Sequence, residues 1–134
     1  MYIDWTDDLS VGVAEIDQQH KRFLVIINDL YEALENKNEK IVLGDIISQL
    51  ASYAMFHFMT EEKYMDEFKY EGVEIHKKEH ERLRDKISEF GENYTDNPEK
   101  HAQELLHFLK DYLADHLITM DQKYVKCFKE HGLQ

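Results

Sequence analysis

Five of the eight histidines in this 134-residue chain fall where a helix would turn them inward: His20, His57, His76, His80 and His116. Two carboxylates, Glu61 and Asp121, keep them company. Residues four apart on a helix stack on one face and can aim at a common point, and both His57/Glu61 and His76/His80 have that spacing. His116 and Asp121 are five apart, which splays them by about 140° on a regular helix at ~100° per residue. They converge only if the helix is interrupted between them. Thr119-Met120-Asp121-Gln122, a hydroxyl residue followed three positions later by Gln, fits a capping box that would restart a helix there.

A carboxylate buried among imidazoles needs a neutralising partner, and a metal ion suits these donors. Seven ligands exceed the four of a typical zinc site. They suit two adjacent irons, each near six-coordinate, that share Glu61 and Asp121 and a solvent-derived oxo or hydroxo bridge. Imidazole-rich ligation also suits copper or zinc, whereas a carboxylate-dominated set would suit manganese or magnesium. Taken singly, each residue has a plainer reading: His20 as a satisfied core histidine, Asp121 as a helix cap. Their joint alignment across four stripes favours ligation.

Positioning these residues takes four helices. After an N-terminal arm over residues 1–12, the first stripe carries Ile16, His20, Phe23, Leu24, Ile27, Leu30, Tyr31 and Leu34. The loop 35–38 follows, with Asn38 a candidate N-cap. The second helix is expected from about Glu39 to Phe68, with Leu50, Tyr53, Ala54, His57, Glu61 and Met65 on one face. The third, after Gly72, aligns Val73, His76, His80, Leu83, Ile87, Phe90 and Tyr94. Asp96-Asn97-Pro98 supplies a cap and a first-turn proline for the fourth, where Ala102, Leu105, Leu109, Leu113 and His116 face inward. The expected fold is therefore all-α: a single domain over residues 1–134, an antiparallel up-and-down four-helix bundle with a broken fourth helix.

Composition narrows the function classes. One Pro and five Gly leave little for the turns of an all-β fold. Sixteen basic against 28 acidic residues give a net charge of −12 with no basic patch, which argues against nucleic acid or acidic lipid as a partner. The N-terminal sequence has no signal-like pattern, and no apolar run approaches the ~20 residues of a membrane span, so the expected location is the cytoplasm. Cys127 is the only cysteine and offers no disulfide framework. His76-Lys77-Lys78-Glu79-His80 matches the H-x-x-E-H zinc-peptidase pattern, but that reading leaves the other donors unexplained. A ferritin-like site needs two Glu-x-x-His motifs, and only Glu104–His107 has the spacing. His101, His107 and His131 are read as surface residues.

The chain resembles the bacterial hemerythrins over essentially its whole length. The resemblance is carried by Trp5, Val11-Gly12-Val13, Ile16-Asp17-Gln18-Gln19-His20-Lys21, His57-Phe58-Met59-Thr60-Glu61-Glu62, His76 through His80, and His116 through Asp121. It implies a non-haem di-iron centre with His76, His80 and His116 on one iron, His20 and His57 on the other, and Glu61 and Asp121 bridging. It also implies reversible O2 binding at the iron one ligand short, for storage, transport or delivery, without enzymatic turnover. O2 and an unidentified O2 recipient or reductase would be the partners. Leu113 and Leu117 match positions that line the O2 pocket, and Trp5 is read as an anchor for the arm. Oxygen or redox sensing, or binding of iron or nitric oxide, would use the same ligands.

Overall fold

The computed structural model describes residues 2–134; Met1, the first residue of the expected arm, lies outside them. Helices dominate: α1 (Ala14–Glu35), α2 (Glu39–Glu67), α3 (Val73–Asn93) and α4 (Pro98–Tyr112). The chain then winds as a π-helix over Leu113–Met120 and a 3-10 turn over Asp121–Tyr124 before α5 (Val125–Glu130). No strand occurs among the described residues. Short connections make the four long helices an antiparallel up-and-down bundle in which α1 packs on α2 and α4, and α2 on α3.

The helix ends have local causes. Asn97 caps α4 by accepting from the Lys100 amide at 3.2 Å, with Pro98 in the first turn. Asn38 sits before α2 as expected, but its side chain makes no capping bond. The C-termini of α1 and α2 close instead as Schellman motifs: Asn38 N–H donates to Ala33 O at 2.9 Å, and Tyr70 N–H to Met65 O at 2.8 Å. In each, a lysine rather than a glycine takes the left-handed position, Lys37 at φ 58° and Lys69 at φ 54°.

The core forms two apolar clusters. The larger includes Phe23, Ile27, Leu50, Phe58, Leu83, Leu105, Leu109, Leu113 and Leu117; the smaller includes Val11, Val13, Ile16, Met65, Tyr124 and Phe128. On each helix the candidate ligands lie between a residue of one cluster and a residue of the other. A polar layer therefore crosses the bundle between two apolar ones. α2 departs from the sequence expectation in one respect: it is long and apolar enough to cross a membrane by length and composition. Part of its apolar surplus serves a central place, packed against α1, α3 and α4, while Ile41, Met55, Phe56 and Met59 stay exposed.

The arm is tied down rather than loose. Asn28, buried in α1, accepts from the Ile3 amide and donates to the Ile3 carbonyl, both at 2.8 Å. Asp17 takes hydrogen bonds from Ser10 Oγ and the Val11 amide at 2.5 and 2.9 Å, and Gln122 donates to Ser10 O at 3.2 Å. Trp5 packs on the larger cluster with Lys21 Nζ 5.1 Å above its ring, the anchoring role expected of it. Replacing Asn28 by Ala strands two arm groups at once and should cost about 1–3 kcal/mol. Denaturant unfolding of N28A should show a lower midpoint; an unchanged midpoint would mean that water replaces the amide without loss.

Candidate metal centre

All seven candidate ligands are brought together, and each is 1% exposed or less. α1 supplies His20, α2 supplies His57 and Glu61, α3 supplies His76 and His80, and the irregular end of the fourth helix supplies His116 and Asp121. They form two groups that share a carboxylate: Glu61, His76, His80 and His116, and His20, His57, Glu61 and Asp121, the donor atoms of each group lying within 4.8 Å of one another.

Every imidazole presents Nε2 to the centre. Asp121 spans the two groups, with Oδ1 2.9 Å from His116 and 3.0 Å from His76, and Oδ2 3.1 Å from His20. Glu61 reaches both groups chiefly through Oε1, which lies 2.9 Å from His80, 3.1 Å from His57 and 3.4 Å from His76, while Oε2 is 4.0 Å from His20. Its Oε2 accepts from the Tyr124 hydroxyl at 2.5 Å.

Part of the centre is hydrogen-bonded, His20 Nε2 with His57 Nε2 at 3.1 Å and His80 Nε2 with Glu61 Oε1 at 2.9 Å, but the rest is not. Nε2 of His76, Nε2 of His116 and both oxygens of Asp121 are buried without a hydrogen-bond partner, although they lie about 3 Å from one another. Their lone pairs converge on shared space instead of on each other's protons. Buried polar atoms are rarely left so. Soft-to-borderline imidazoles and hard carboxylate oxygens, grouped in fours, are the donor set that first-row divalent metals take, so the residues fit a metal pair.

The means by which Asp121 reaches the site corrects one sequence expectation. Thr119 does not cap a new helix; its hydroxyl donates to Ala114 O, five residues back, at 3.2 Å. The α-winding is interrupted by a widened turn, in which the Asp121 amide also donates to the carbonyl five residues back, that of His116. In that i→i+5 pattern the two ligands share one face, and their side chains meet at 2.9 Å.

Aromatic rings fix three ligand planes: Tyr53 stacks on His57, Phe58 on His80 and Tyr112 on His116, all within 13° of parallel. Leu113 and Leu117 are buried in the larger apolar cluster on the His116 side. Gln19 and Tyr53, which flank His57, also line a surface groove of about 380 Å³ between α1 and α2. His107 and His131 are exposed as expected, while His101 is half-buried beside Phe90. Several contacting residues carried no role from sequence: Gln19, Glu62, Tyr53, Tyr112 and Tyr124. Nothing in the sequence marks the Tyr124 hydroxyl as a partner for Glu61.

Electrostatics follow from burial opposed by charge. Desolvation works against ionised Glu61 and Asp121, yet the facing imidazoles hold both carboxyls below their usual range. Burial likewise opposes a charge on His76, but Asp121 and Glu61 outweigh it and raise His76 to about 10. His20 is raised against its own desolvation, chiefly by Asp121, whereas desolvation prevails at His57 and lowers it. Burial also raises Tyr124 well above its ordinary value, which keeps its proton on the bond to Glu61.

Metal-free protein should therefore lose stability as pH rises. The contribution of protonated His76 is complete below about pH 6.5, its ordinary value, and is lost as pH climbs through about 10. The two carboxylates contribute throughout that window and fail only in acid. Metal competes with the same protons and binds better as they leave. Calorimetry should show a falling Tm for the metal-free form from pH 6.5 to 10 and a widening gap to the metal-loaded form. A rising metal-free Tm would contradict the charge assignment.

Comparison with known proteins agrees with this geometry. The family model for the hemerythrin HHE cation-binding domain matches residues 11–128. Bacteriohemerythrin of Clostridium acetobutylicum is 34% identical over 127 residues, covering 90% of this chain and 97% of its own length. That of Stenotrophomonas maltophilia is 32% identical, covering 95% and 82% respectively. A wild-type hemerythrin crystal structure superposes with a TM-score of 0.80 at 23% identity, over 95% of this chain and 98% of the other, and shows the fold.

Proposed function

The chain belongs to the hemerythrin family, and on that premise we propose that it holds two irons at the seven-residue centre and uses them to bind O2 reversibly. In this reading His76, His80 and His116 hold one iron and His20 and His57 the other, with Glu61 and Asp121 between them. The observation that carries it is the unmet lone pairs of His76, His116 and Asp121 in two overlapping four-donor groups. Bound there, the iron pair would supply two electrons to O2 and recover them on release. The iron held by two histidines has fewer protein donors than its neighbour, so O2 is assigned to that side.

The protein's own task is to keep the reaction reversible. Water or stray protons at the bound ligand would leave oxidised, inactive iron, so the surroundings must be dry. Leu113 at 8% exposure and Leu117 at 0% belong to the apolar cluster that also holds Phe23 and Tyr53, and we assign them to the O2 pocket. Phe23 packs against Tyr53 and Tyr112, the rings that stack on His57 and His116. An apolar surround of this kind favours a carrier or store over an enzyme.

The test is an optical spectrum of reduced protein cycled between air and vacuum, together with metal analysis. Two irons per chain and a visible band that appears in air and fades under vacuum are expected. One iron per chain, or irreversible oxidation at the first exposure, overturns the reading. His80→Ala should lower iron content while the metal-free chain keeps its helical circular dichroism; full iron content in H80A would remove that residue from the ligand set.

A further inference from the structure

With Nε2 turned to the centre, each imidazole presents Nδ1 to its own surroundings, and those surroundings differ. Nδ1 of His20, His76 and His116 is buried without a partner. Two rings are backed. His57 Nδ1 lies 2.8 Å from Gln19 Oε1, and the Gln19 amide nitrogen in turn donates to Thr60 Oγ1 at 2.9 Å. His80 Nδ1 lies 2.8 Å from Glu62 Oε2. A ring that offers its Nε2 lone pair to a metal carries its proton on Nδ1, so both contacts are Nδ1–H donations, one to a neutral amide and one to a carboxylate.

Glu62 is not a stray surface acid. Arg84 Nη2 donates to the same Oε2 at 3.1 Å. The Arg84 guanidinium also lies 5.3 Å over Phe58, and Phe58 stacks on His80 with centroids 3.8 Å apart and planes at 12°. One arginine thus braces both the plane of His80, through Phe58, and its proton, through Glu62. The two backed rings fall in different halves of the centre. His80 belongs to the half with three imidazoles, and His57 to the half with two.

We propose that Glu62, braced by Arg84, is a positioning residue that makes the His80 half of the centre the tighter and more electron-rich metal site, while neutral Gln19 leaves the His57 half the weaker. The inference rests on the two-metal reading of the centre. A carboxylate that accepts the Nδ1 proton pushes electron density through the ring onto Nε2 and strengthens its bond to the metal. Hydrogen bonds to ionised acceptors are roughly twice as strong as neutral ones, so an amide does this less. Partners of this kind typically change metal affinity by about 10- to 100-fold. The imbalance of three imidazoles against two is thereby reinforced, and the weaker half is the one assigned to O2.

The experiment loads the full chain with Fe2+, and separately with redox-inactive Zn2+, and follows release to excess chelator. Wild type should release two metals per chain in two phases of one metal each. In Glu62→Gln the slow phase should accelerate by about 10- to 100-fold with the fast phase unchanged. In Gln19→Glu the fast phase should slow. The iron midpoint potential should move positive in E62Q, and E62D should restore both readouts in part. The Tm of metal-free E62Q should match wild type, which separates tuning of the metal from mere structural support. Two metals released by E62Q at wild-type rates overturn the role of Glu62 and leave the two-metal reading intact; a single metal in wild type overturns that reading itself.

Discussion

Glu61 and Asp121 place two carboxylates at zero exposure in the middle of a helical bundle, where an uncompensated charge would cost several kcal/mol. Much of the rest follows from meeting that cost. Five imidazoles converge on the pair, but in the metal-free chain the proton held on His76 offsets only part of two negative charges, and neither Asp121 oxygen has a hydrogen-bond partner. A cation completes the core. Metal affinity and folding energy are then drawn from the same interactions.

The same constraint shapes the backbone. Three helices reach the centre with ordinary α-geometry, because α1 gives a single ligand and four-residue spacing suffices on α2 and α3. The fourth cannot, since His116 and Asp121 are five apart, and the chain adopts a π-turn whose hydrogen bonds link those two residues directly. Around the polar layer, two apolar clusters and three stacked aromatic rings hold the ligands in place. The arm, fastened at Asn28 and Asp17, adds Val11 to the smaller cluster, and Val13 at the start of α1 joins it there.

Most of the bundle was legible from apolar periodicity, and the cap at Asn97 with Pro98 from local residue types. Six ligands stood out as polar residues on core-facing stripes. Asp121 was reached for an incomplete reason: the spacing showed that the helix must be irregular, but Thr119 and Gln122 pointed to a restart, whereas the demand is tertiary and is met by widening one turn. Lys37 and Lys69 in left-handed positions carry no sequence mark, because a lysine there is tolerated rather than selected by propensity. Gln19 and Glu62 were hidden for a similar reason. A polar residue next to a ligand on a half-exposed face looks like surface until its partner is seen.

The two metal ions proposed for these seven side chains would be directly observable. Crystals of iron-loaded protein, measured on either side of the iron absorption edge, should give two anomalous peaks in the polar layer. One should contact His76, His80 and His116 and the other His20 and His57, with Glu61 and Asp121 between them. A single peak, or iron bound outside this layer, would contradict the two-metal centre.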